Sequence, residues 1–196
     1  MSVELARRLY KPKETAHTDA TIRQIYSEEE IRARVKEMGR EISAAYYDLD
    51  RPVVIGVLKG ALLFLADLIR SIECADPLQL EFVRLASYGA ATESSGHVQT
   101  PYLDLPNLYH RNILVVEDII DSGRTAQFFM EYLRAQFDPK TLKLAALLDK
   151  PSRRVVPIDP DFTGFQIEDL FVVGYGLDYA EQFRELPLLG EMIGGV

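Results

Sequence analysis

Three carboxylates and a short polar run lie together in NILVVEDIIDSGRTA, residues 112–126. Glu117 and Asp118 directly follow an apolar stretch, and Asp121 comes three residues later. Four residues that are small, hydroxyl-bearing or basic then open a stretch of helical character: Ser122, Gly123, Arg124 and Thr125. Backbone N–H groups converge at a helix start, glycine permits a tight turn, and hydroxyl groups add further donors. The run after Asp121 therefore predicts a phosphate-binding site.

The three carboxylates need a separate explanation, because negative groups beside a phosphate are unfavourable unless they bind something else. Sugar hydroxyls, a metal ion or a proton could each be the group that the carboxylates bind. Adjacent carboxylates such as Glu117 and Asp118 are good acceptors for two vicinal hydroxyls, which leaves Asp121 without a sugar role. The structural alternative is an acidic turn that caps a helix, and that alternative would explain a lone Glu-Asp pair. Neither a Walker phosphate loop nor a Rossmann glycine fingerprint occurs in the sequence.

Alternating strands and helices are predicted around this stretch. Short apolar or β-branched runs predict strands at residues 53–58, 79–85, 112–116, 142–148 and 170–174. Helical periodicity predicts helices at residues 27–46, 61–70 and 124–137, and Ser27 with Glu30 forms a capping box for the first. This alternation implies an α/β fold, with a parallel or mostly parallel twisted sheet and helices on both faces. Ligands of such sheets bind beyond the carboxyl ends of the strands.

The composition indicates an ordinary folded domain. The 196 residues, 47% of them hydrophobic, predict a single domain over 1–196, with residues 1–26 as an N-terminal extension of little pattern. The net charge of −8 argues against a nucleic-acid coat, which needs an excess of Lys and Arg. The single cysteine, Cys74, cannot form an intrachain disulfide, and no apolar run approaches the ~18 residues of a membrane helix. We expect a cytoplasmic protein that binds neither nucleic acid nor a membrane.

A long polar segment runs from Ser87 to Pro106, with the sequence SYGAATESSGHVQTPYLDLP and no sustained period. Loops longer than about 12–15 residues in compact domains are usually functional or disordered. Because Ser87 and Tyr88 directly follow a predicted strand, a mobile lid over residues 87–106 is the favoured interpretation. A floppy hairpin tip is the alternative.

The run VVEDIIDSGRT, residues 115–125, resembles the phosphoribosyl pyrophosphate (PRPP) signature of type I phosphoribosyltransferases, in their 6-oxopurine branch. Residues 53–70 resemble the family's first loop and helix, and RLASYG (84–89) resembles its mobile catalytic loop. LLDK (147–150) resembles its base-contacting strand end, and residues 161–184 resemble its purine-binding hood. The resemblance implies the type I phosphoribosyltransferase fold, with a small hood to which residues 161–196 contribute.

The resemblance also implies a role for each residue of the acidic and phosphate run. Glu117 and Asp118 would hold the ribose 2′- and 3′-hydroxyls, with Mg²⁺ nearby. The four residues from Ser122 to Thr125 would cradle the 5′-phosphate of PRPP. Asp121 would face N7 of the purine as general acid–base, which fits the carboxylate left without a sugar role.

Pyrophosphate and purine sites are implied in the same way. The residues implied for pyrophosphate are Lys59, Gly60, Ser87, Tyr88 and Arg184. Those implied for the purine are Lys150, Phe171, Val172 and Asp178. Lys150 would donate to O6, Phe171 would stack on the purine ring, and the backbone of Val172 would pair with the edge of that ring. The implied metal ligands are Glu117, Asp118 and, for a second Mg²⁺, Asp178. The family has a cis peptide before the lysine and a second glycine where this sequence has Ala61.

The implied activity is purine salvage: transfer of the 5-phosphoribosyl group of PRPP to N9 of hypoxanthine or guanine, giving IMP or GMP and pyrophosphate. The resemblance further implies Mg²⁺ as cofactor and a homodimer or homotetramer. A xanthine-guanine enzyme is one alternative, and a non-catalytic regulator that senses PRPP or nucleotides on the same fold is another. The net charge of −8 disfavours the regulator, because such proteins usually need a basic face or an added nucleic-acid-binding domain.

Overall fold

The computed structural model describes residues 9–10, 21–85 and 104–194. Ser87, Tyr88 and most of the predicted lid lie outside these residues, so the lid stays a prediction. The strands are β1 (Leu9–Tyr10), β2 (Thr21–Tyr26), β3 (Pro52–Leu58), β4 (Gln79–Arg84), β5 (Asn112–Ile120), β6 (Thr141–Asp149), β7 (Phe162–Gln166), β8 (Val172–Val173) and β9 (Leu189–Ile193). The helices are α1 (Glu28–Tyr46), α2 (Leu62–Ile69) and α3 (Arg124–Phe137), with a 3-10 turn at Pro151–Arg153.

The main sheet has five strands in the order β4-β3-β5-β6-β7, and every neighbouring pair is parallel. Alternate residues of its central strands pack on opposite faces. Val54 and Leu114 join a core with α1 and α2, whereas Ile55 and Val115 join a second core with α3. Side chains of this kind contribute about 1.5–3 kcal/mol each when fully buried, so two apolar faces hold the helices on the sheet. The predicted α/β fold is confirmed.

The helix starts follow from local chemistry. Ser27 accepts a hydrogen bond from Glu30 N at 3.2 Å, and Glu30 Oε2 accepts one from Ser27 N at 2.8 Å, so the predicted capping box is formed. The helix α3 begins after Gly123, whose φ of 82° lies in the left-handed region that glycine adopts without steric cost. This turn joins the end of β5 to α3 and places the polar run at the sheet edge.

A second, antiparallel sheet differs from the sequence prediction. Its order is β1-β2-β9-β8, and a small core of Ile22, Val173 and Met192 lies beneath it. Residues 21–26, which were expected to belong to a patternless extension, form β2 and pair with β9 near the other end of the chain. The predicted strand at 170–174 is wrong in its bounds and in its sheet, because only Val172–Val173 is extended and it pairs with β9. The strand β7, which the sequence did not predict, completes the main sheet.

Candidate active site

A cavity of about 440 Å³ opens at the carboxyl ends of β3 and β5. Residues from five places in the chain line it: the end of β3 with the loop after it, the end of β4, the end of β5, the start of α3, and the segment between β8 and β9. Among the lining residues are Lys59, Gly60, Glu117, Asp118, Thr125, Asp178 and Arg184. The structure therefore brings together residues that the sequence assigned separately to ribose, phosphate, pyrophosphate and metal.

Glu117 and Asp118 lie within β5, which continues four residues beyond the predicted end at 116. Burial, and then the neighbouring Asp118 carboxylate, raise the pKa of Glu117 well above its usual range. Burial also raises the pKa of Asp118 to about 6, although backbone hydrogen bonds and the Arg184 guanidinium oppose that shift. Burial and mutual repulsion disfavour two negative charges on adjacent carboxyl groups. Hydroxyl donors or a cation bound to these oxygens would stabilise the charged forms.

The loop after β3 lies directly against Asp118. The Leu58–Lys59 peptide bond is cis, as the family resemblance implied. A Cβ atom added at Gly60 would lie 1.5 Å from Asp118 Oδ2, so a larger residue fits there only if the Asp118 carboxylate moves. Ala61 has φ −72° and ψ −4°, an ordinary right-handed conformation at the start of α2. Alanine in place of the family's second glycine therefore does not disturb the loop.

The segment between β8 and β9 supplies the opposite wall. Asp178 Oδ1 lies 2.8 Å from Arg184 Nη2, and Asp178 Oδ2 accepts a hydrogen bond from Glu181 N at 2.8 Å. Lys59 Nζ donates to Glu181 Oε2 at 2.8 Å, and Arg184 Nη2 reaches the same oxygen at 3.4 Å. Hydrogen bonds from Lys59 and Arg184 lower the pKa of Glu181. Both cations implied for pyrophosphate thus face one cavity, and Glu181, which the sequence analysis missed, joins them.

The phosphate run is braced by a segment that the sequence analysis did not identify. Arg154 Nη1 donates to Asp121 O at 2.5 Å, and Val155 N donates to Ser122 O at 3.1 Å. The Arg154 guanidinium also pairs with the buried Asp149 carboxylate. A Cβ atom at Gly123 would lie 2.7 Å from a methyl group of Ile158, so the turn is close-packed as well as left-handed. These tertiary contacts hold the loop in place.

Lys150 and Asp121 lie beside each other at the ends of adjacent strands. Their charged groups, Lys150 Nζ and Asp121 Oδ2, are 3.8 Å apart, and the Lys150 side chain is only 8% exposed. Arg153 and Asp169 complete the surroundings of this pair, and neither was singled out from the sequence.

Phe171 and Val172 differ sharply in exposure. Phe171 is 41% exposed and its ring lies edge-on to Tyr179, with 5.6 Å between centroids. This exposure removes the simplest alternative for Phe171, a core aromatic. Val172 is buried in β8. An exposed aromatic face beside a buried strand is suited to stacking on a planar ligand.

The donors near the cavity fit Mg²⁺. Glu117, Asp118 and Asp178 offer carboxylate oxygens, the ligands this ion prefers. Within the described parts of the chain, no group of three or more His, Cys, Asp or Glu side chains forms a metal cluster. Mg²⁺ commonly binds through one or two carboxylates together with substrate oxygens and water, so the donor set matches that mode.

No helix in the part of the chain that the structure describes is both long and apolar enough to cross a bilayer.

Comparisons with known proteins agree with the geometry. The family model for the phosphoribosyl transferase domain matches residues 21–180. The chain is 49% identical over 167 residues to a hypoxanthine-guanine phosphoribosyltransferase of Bacillus subtilis, covering 85% of this chain and 90% of that protein. A crystal structure of a hypoxanthine-guanine phosphoribosyltransferase from Bacillus anthracis has a TM-score of 0.76 and 42% identity, over 87% of this chain and 98% of that one. A mutant hypoxanthine phosphoribosyltransferase from Trypanosoma cruzi, solved as a ternary substrates complex, has a TM-score of 0.77 and 35% identity, over 87% of this chain and 94% of that one.

Proposed function

This chain belongs to the phosphoribosyltransferase family, and we propose that it transfers the 5-phosphoribosyl group of PRPP to N9 of hypoxanthine or guanine. IMP or GMP and pyrophosphate are the products. The observation that carries the proposal is the meeting of Glu117 and Asp118 with the phosphate loop and the Lys150–Asp121 pair at one edge of the sheet.

The sugar and its phosphate are assigned to the end of β5 and the start of α3. Glu117 and Asp118 would accept hydrogen bonds from the ribose 2′- and 3′-hydroxyls, since both are carboxylates at the cavity wall. The 5′-phosphate would lie on the loop formed by Ser122, Gly123, Arg124 and Thr125, at the start of α3. Those interactions would fix C1′ between the two remaining parts of the site.

Pyrophosphate is assigned to the space between the loop after β3 and the segment between β8 and β9, where Lys59, Gly60 and Arg184 face the same cavity. An incoming pyrophosphate group would compete with Glu181 for the two cations, because both now contact its carboxylate. Mg²⁺, when bound through Glu117, Asp118 or Asp178 and the substrate, would neutralise charge that develops on pyrophosphate. Ser87 and Tyr88 are assigned to this part of the site from the sequence resemblance alone, as the lid that would close over it.

The purine is assigned to the space beside Lys150 and Asp121. Lys150 would donate to O6, Phe171 would stack on the ring, and the backbone of Val172 would pair with the ring edge. The N9–C1′ bond forms as the C1′–O bond breaks, with its electron pair leaving on pyrophosphate. The proton on N7 passes to Asp121, so that the nucleotide leaves neutral at that nitrogen.

Two properties of the whole protein belong to the same proposal. A homodimer or homotetramer and a cytoplasmic setting are both expected from the resemblance. Size-exclusion chromatography with light scattering would measure the first of these directly.

A base panel tests the proposed activity. The purified chain is incubated with PRPP and Mg²⁺ and, separately, hypoxanthine, guanine, xanthine, adenine or uracil, and nucleotide and pyrophosphate are both measured. We expect IMP and GMP from the wild type, and much slower formation of both from the control variant Asp121→Asn. Turnover of xanthine and guanine in preference to hypoxanthine would indicate the xanthine-guanine enzyme, and PRPP binding without turnover would indicate a sensing regulator.

A further inference from the structure

Lys150 and Asp121, the two charged groups assigned to the purine, belong to a ring of alternating charges. Lys150 Nζ lies 3.8 Å from Asp121 Oδ2 and 3.9 Å from Asp169 Oδ1. On the other side of the ring, Arg153 donates from Nε to Asp121 Oδ1 at 3.2 Å and from Nη1 to Asp169 Oδ2 at 3.4 Å. Two carboxylates and two cations from three separate segments thus close a ring with no net charge.

We propose that Arg153 and Asp169 are positioning residues for transfer to the purine. They hold the Asp121 carboxylate and the Lys150 ammonium at a fixed spacing, so that N7 and O6 of one base meet both groups together. The inference rests on the proposed function, because Asp121 and Lys150 are the groups being positioned.

Arg153 suits this role because of its shape. A guanidinium is a rigid planar fork, and here two of its nitrogens reach two different carboxylates at once. An ionised carboxylate offers about four acceptor positions, and Asp121 uses one of them for the hydrogen bond from Arg153, while Lys150 at 3.8 Å makes an ion pair without a hydrogen bond. The remaining lone pairs can accept a hydrogen bond from a purine N–H. The ring therefore orients Asp121 without blocking it.

Asp169 has a separate task at Lys150. The lysine side chain is only 8% exposed, and a buried ammonium needs a negative partner. When Asp121 takes the N7 proton it loses its charge, and its attraction for Lys150 weakens. Asp169 then remains as the carboxylate beside the ammonium, so Lys150 stays directed at O6 while the proton moves.

Because Arg153 and Asp169 are exposed, a positioning role for them can be distinguished from a role in folding stability. The Arg153 and Asp169 side chains are 52% and 58% exposed. Ion pairs between exposed side chains contribute little to folding stability. Removing either residue should therefore leave the melting temperature close to that of the wild type, and a change in purine kinetics would then report positioning.

Two variants with matched controls test the proposal. Arg153→Gln and Asp169→Asn remove one member of the ring each. Arg40→Gln, on the exposed face of α1, and Glu168→Gln, next to Asp169 in the chain, remove the same charges elsewhere. Initial rates are measured with hypoxanthine varied at saturating PRPP, then with PRPP varied at saturating hypoxanthine.

We expect kcat/KM for hypoxanthine to fall about ten- to a hundredfold in both ring variants, because misplacement by about 1 Å costs that much. KM for PRPP and the melting temperature should stay at wild-type values, and both controls should behave as wild type. The double variant should be no slower than the slower single variant, since the ring is already open. Arg153→Lys should recover part of the loss, because it keeps the charge without the fork.

Three results would overturn the inference. Wild-type purine kinetics in both ring variants would mean that the ring does not position the reactive groups. A faster Arg153→Gln enzyme would mean that Arg153 blocks Asp121. A lower melting temperature with unchanged kinetics would leave only a structural role. In each case the wild type still forms nucleotide, whereas a wild type that forms none overturns the proposed function and this inference with it.

Discussion

Replacing Gly60 with alanine is expected to displace the Asp118 carboxylate while the fold stays intact. The added Cβ would lie 1.5 Å from Asp118 Oδ2 and 2.5 Å from Asp118 Cγ. Unbonded heavy atoms keep about 3.5 Å apart, so the oxygen must move by about 2 Å. The Asp118 backbone is held in β5, and its Oδ1 accepts a hydrogen bond from Ile119 N at 2.8 Å. The carboxylate must therefore rotate away from Gly60.

The rotation should reduce catalysis far more than stability. One disturbed hydrogen bond contributes about 0.5–1.5 kcal/mol to folding. A displacement of about 1 Å in a substrate-binding group can cost about a hundredfold in rate. We therefore expect kcat/KM for PRPP to fall at least about a hundredfold, or about 2.7 kcal/mol of transition-state stabilisation. Initial rates with PRPP varied at saturating hypoxanthine, together with thermal unfolding, measure both quantities.

Gly39→Ala is the matched control. A Cβ atom at Gly39 would lie 2.4 Å from Ser71 O, so this alanine also collides with its neighbour. The collision lies between α1 and the segment that follows α2, and neither residue lines the cavity. It should lower the melting temperature and leave KM for PRPP unchanged. A Gly60→Ala enzyme with wild-type kcat/KM for PRPP would refute the assignment of Asp118. If Gly60→Ala does not fold, Asp118→Asn tests the same assignment without a clash.

Three further predictions concern charge at the site. Asp121→Asn should lower kcat about 10²–10⁴-fold with unchanged KM for PRPP, because it removes the proposed N7 proton acceptor; an Asn variant that keeps its kcat contradicts that role. Lys150→Gln should lower kcat/KM for both 6-oxopurines and narrow discrimination against adenine, because a glutamine amide can donate or accept; equal discrimination in a base panel would remove Lys150 as the reader of O6. The pKa of Asp118 rises from 3.8 to about 6 on folding, so the native state binds more protons and stability should fall as pH rises from about 4 to 6. Thermal unfolding of ligand-free protein should show that slope, with a flatter profile in Asp118→Asn.

The main sheet and its helices could be predicted from sequence because their signals are local. The capping box at Ser27 marks the start of α1, and the apolar periodicity at 124–137 marks α3 with the bounds that the structure shows. The run at 112–116 marks the apolar part of β5, although the strand continues through Glu117 and Asp118. Polar residues at the end of a strand look like a loop in the sequence, and only pairing with β6 shows that they are extended.

The second sheet could not be predicted in this way. Thr21 in β2 pairs with Ile193 in β9, and β8 is only two residues long. Such short strands carry almost no period of their own, and their stability depends on partners from distant parts of the chain. For the same reason, the sequence analysis did not identify Arg153, Asp169 and Glu181 as site residues. In the sequence each is a charged residue outside any motif, and its role depends on which other charges the fold places beside it.

The burial of Glu117 and Asp118 connects the fold to the choice of ligand. Both belong to a central strand of a parallel sheet, and the raised pKa values of both carboxyls show that burial disfavours their negative charge in the free protein. Hydroxyl donors or a divalent cation relieve that unfavourable state, whereas a bare phosphate would worsen it. A ligand that carries vicinal hydroxyls and a phosphate at opposite ends satisfies both the carboxylates and the helix start of α3. Under the proposed function, the strand end would therefore select the sugar part of the substrate, while the outer charges around Asp121 and Arg184 would select what is joined to it.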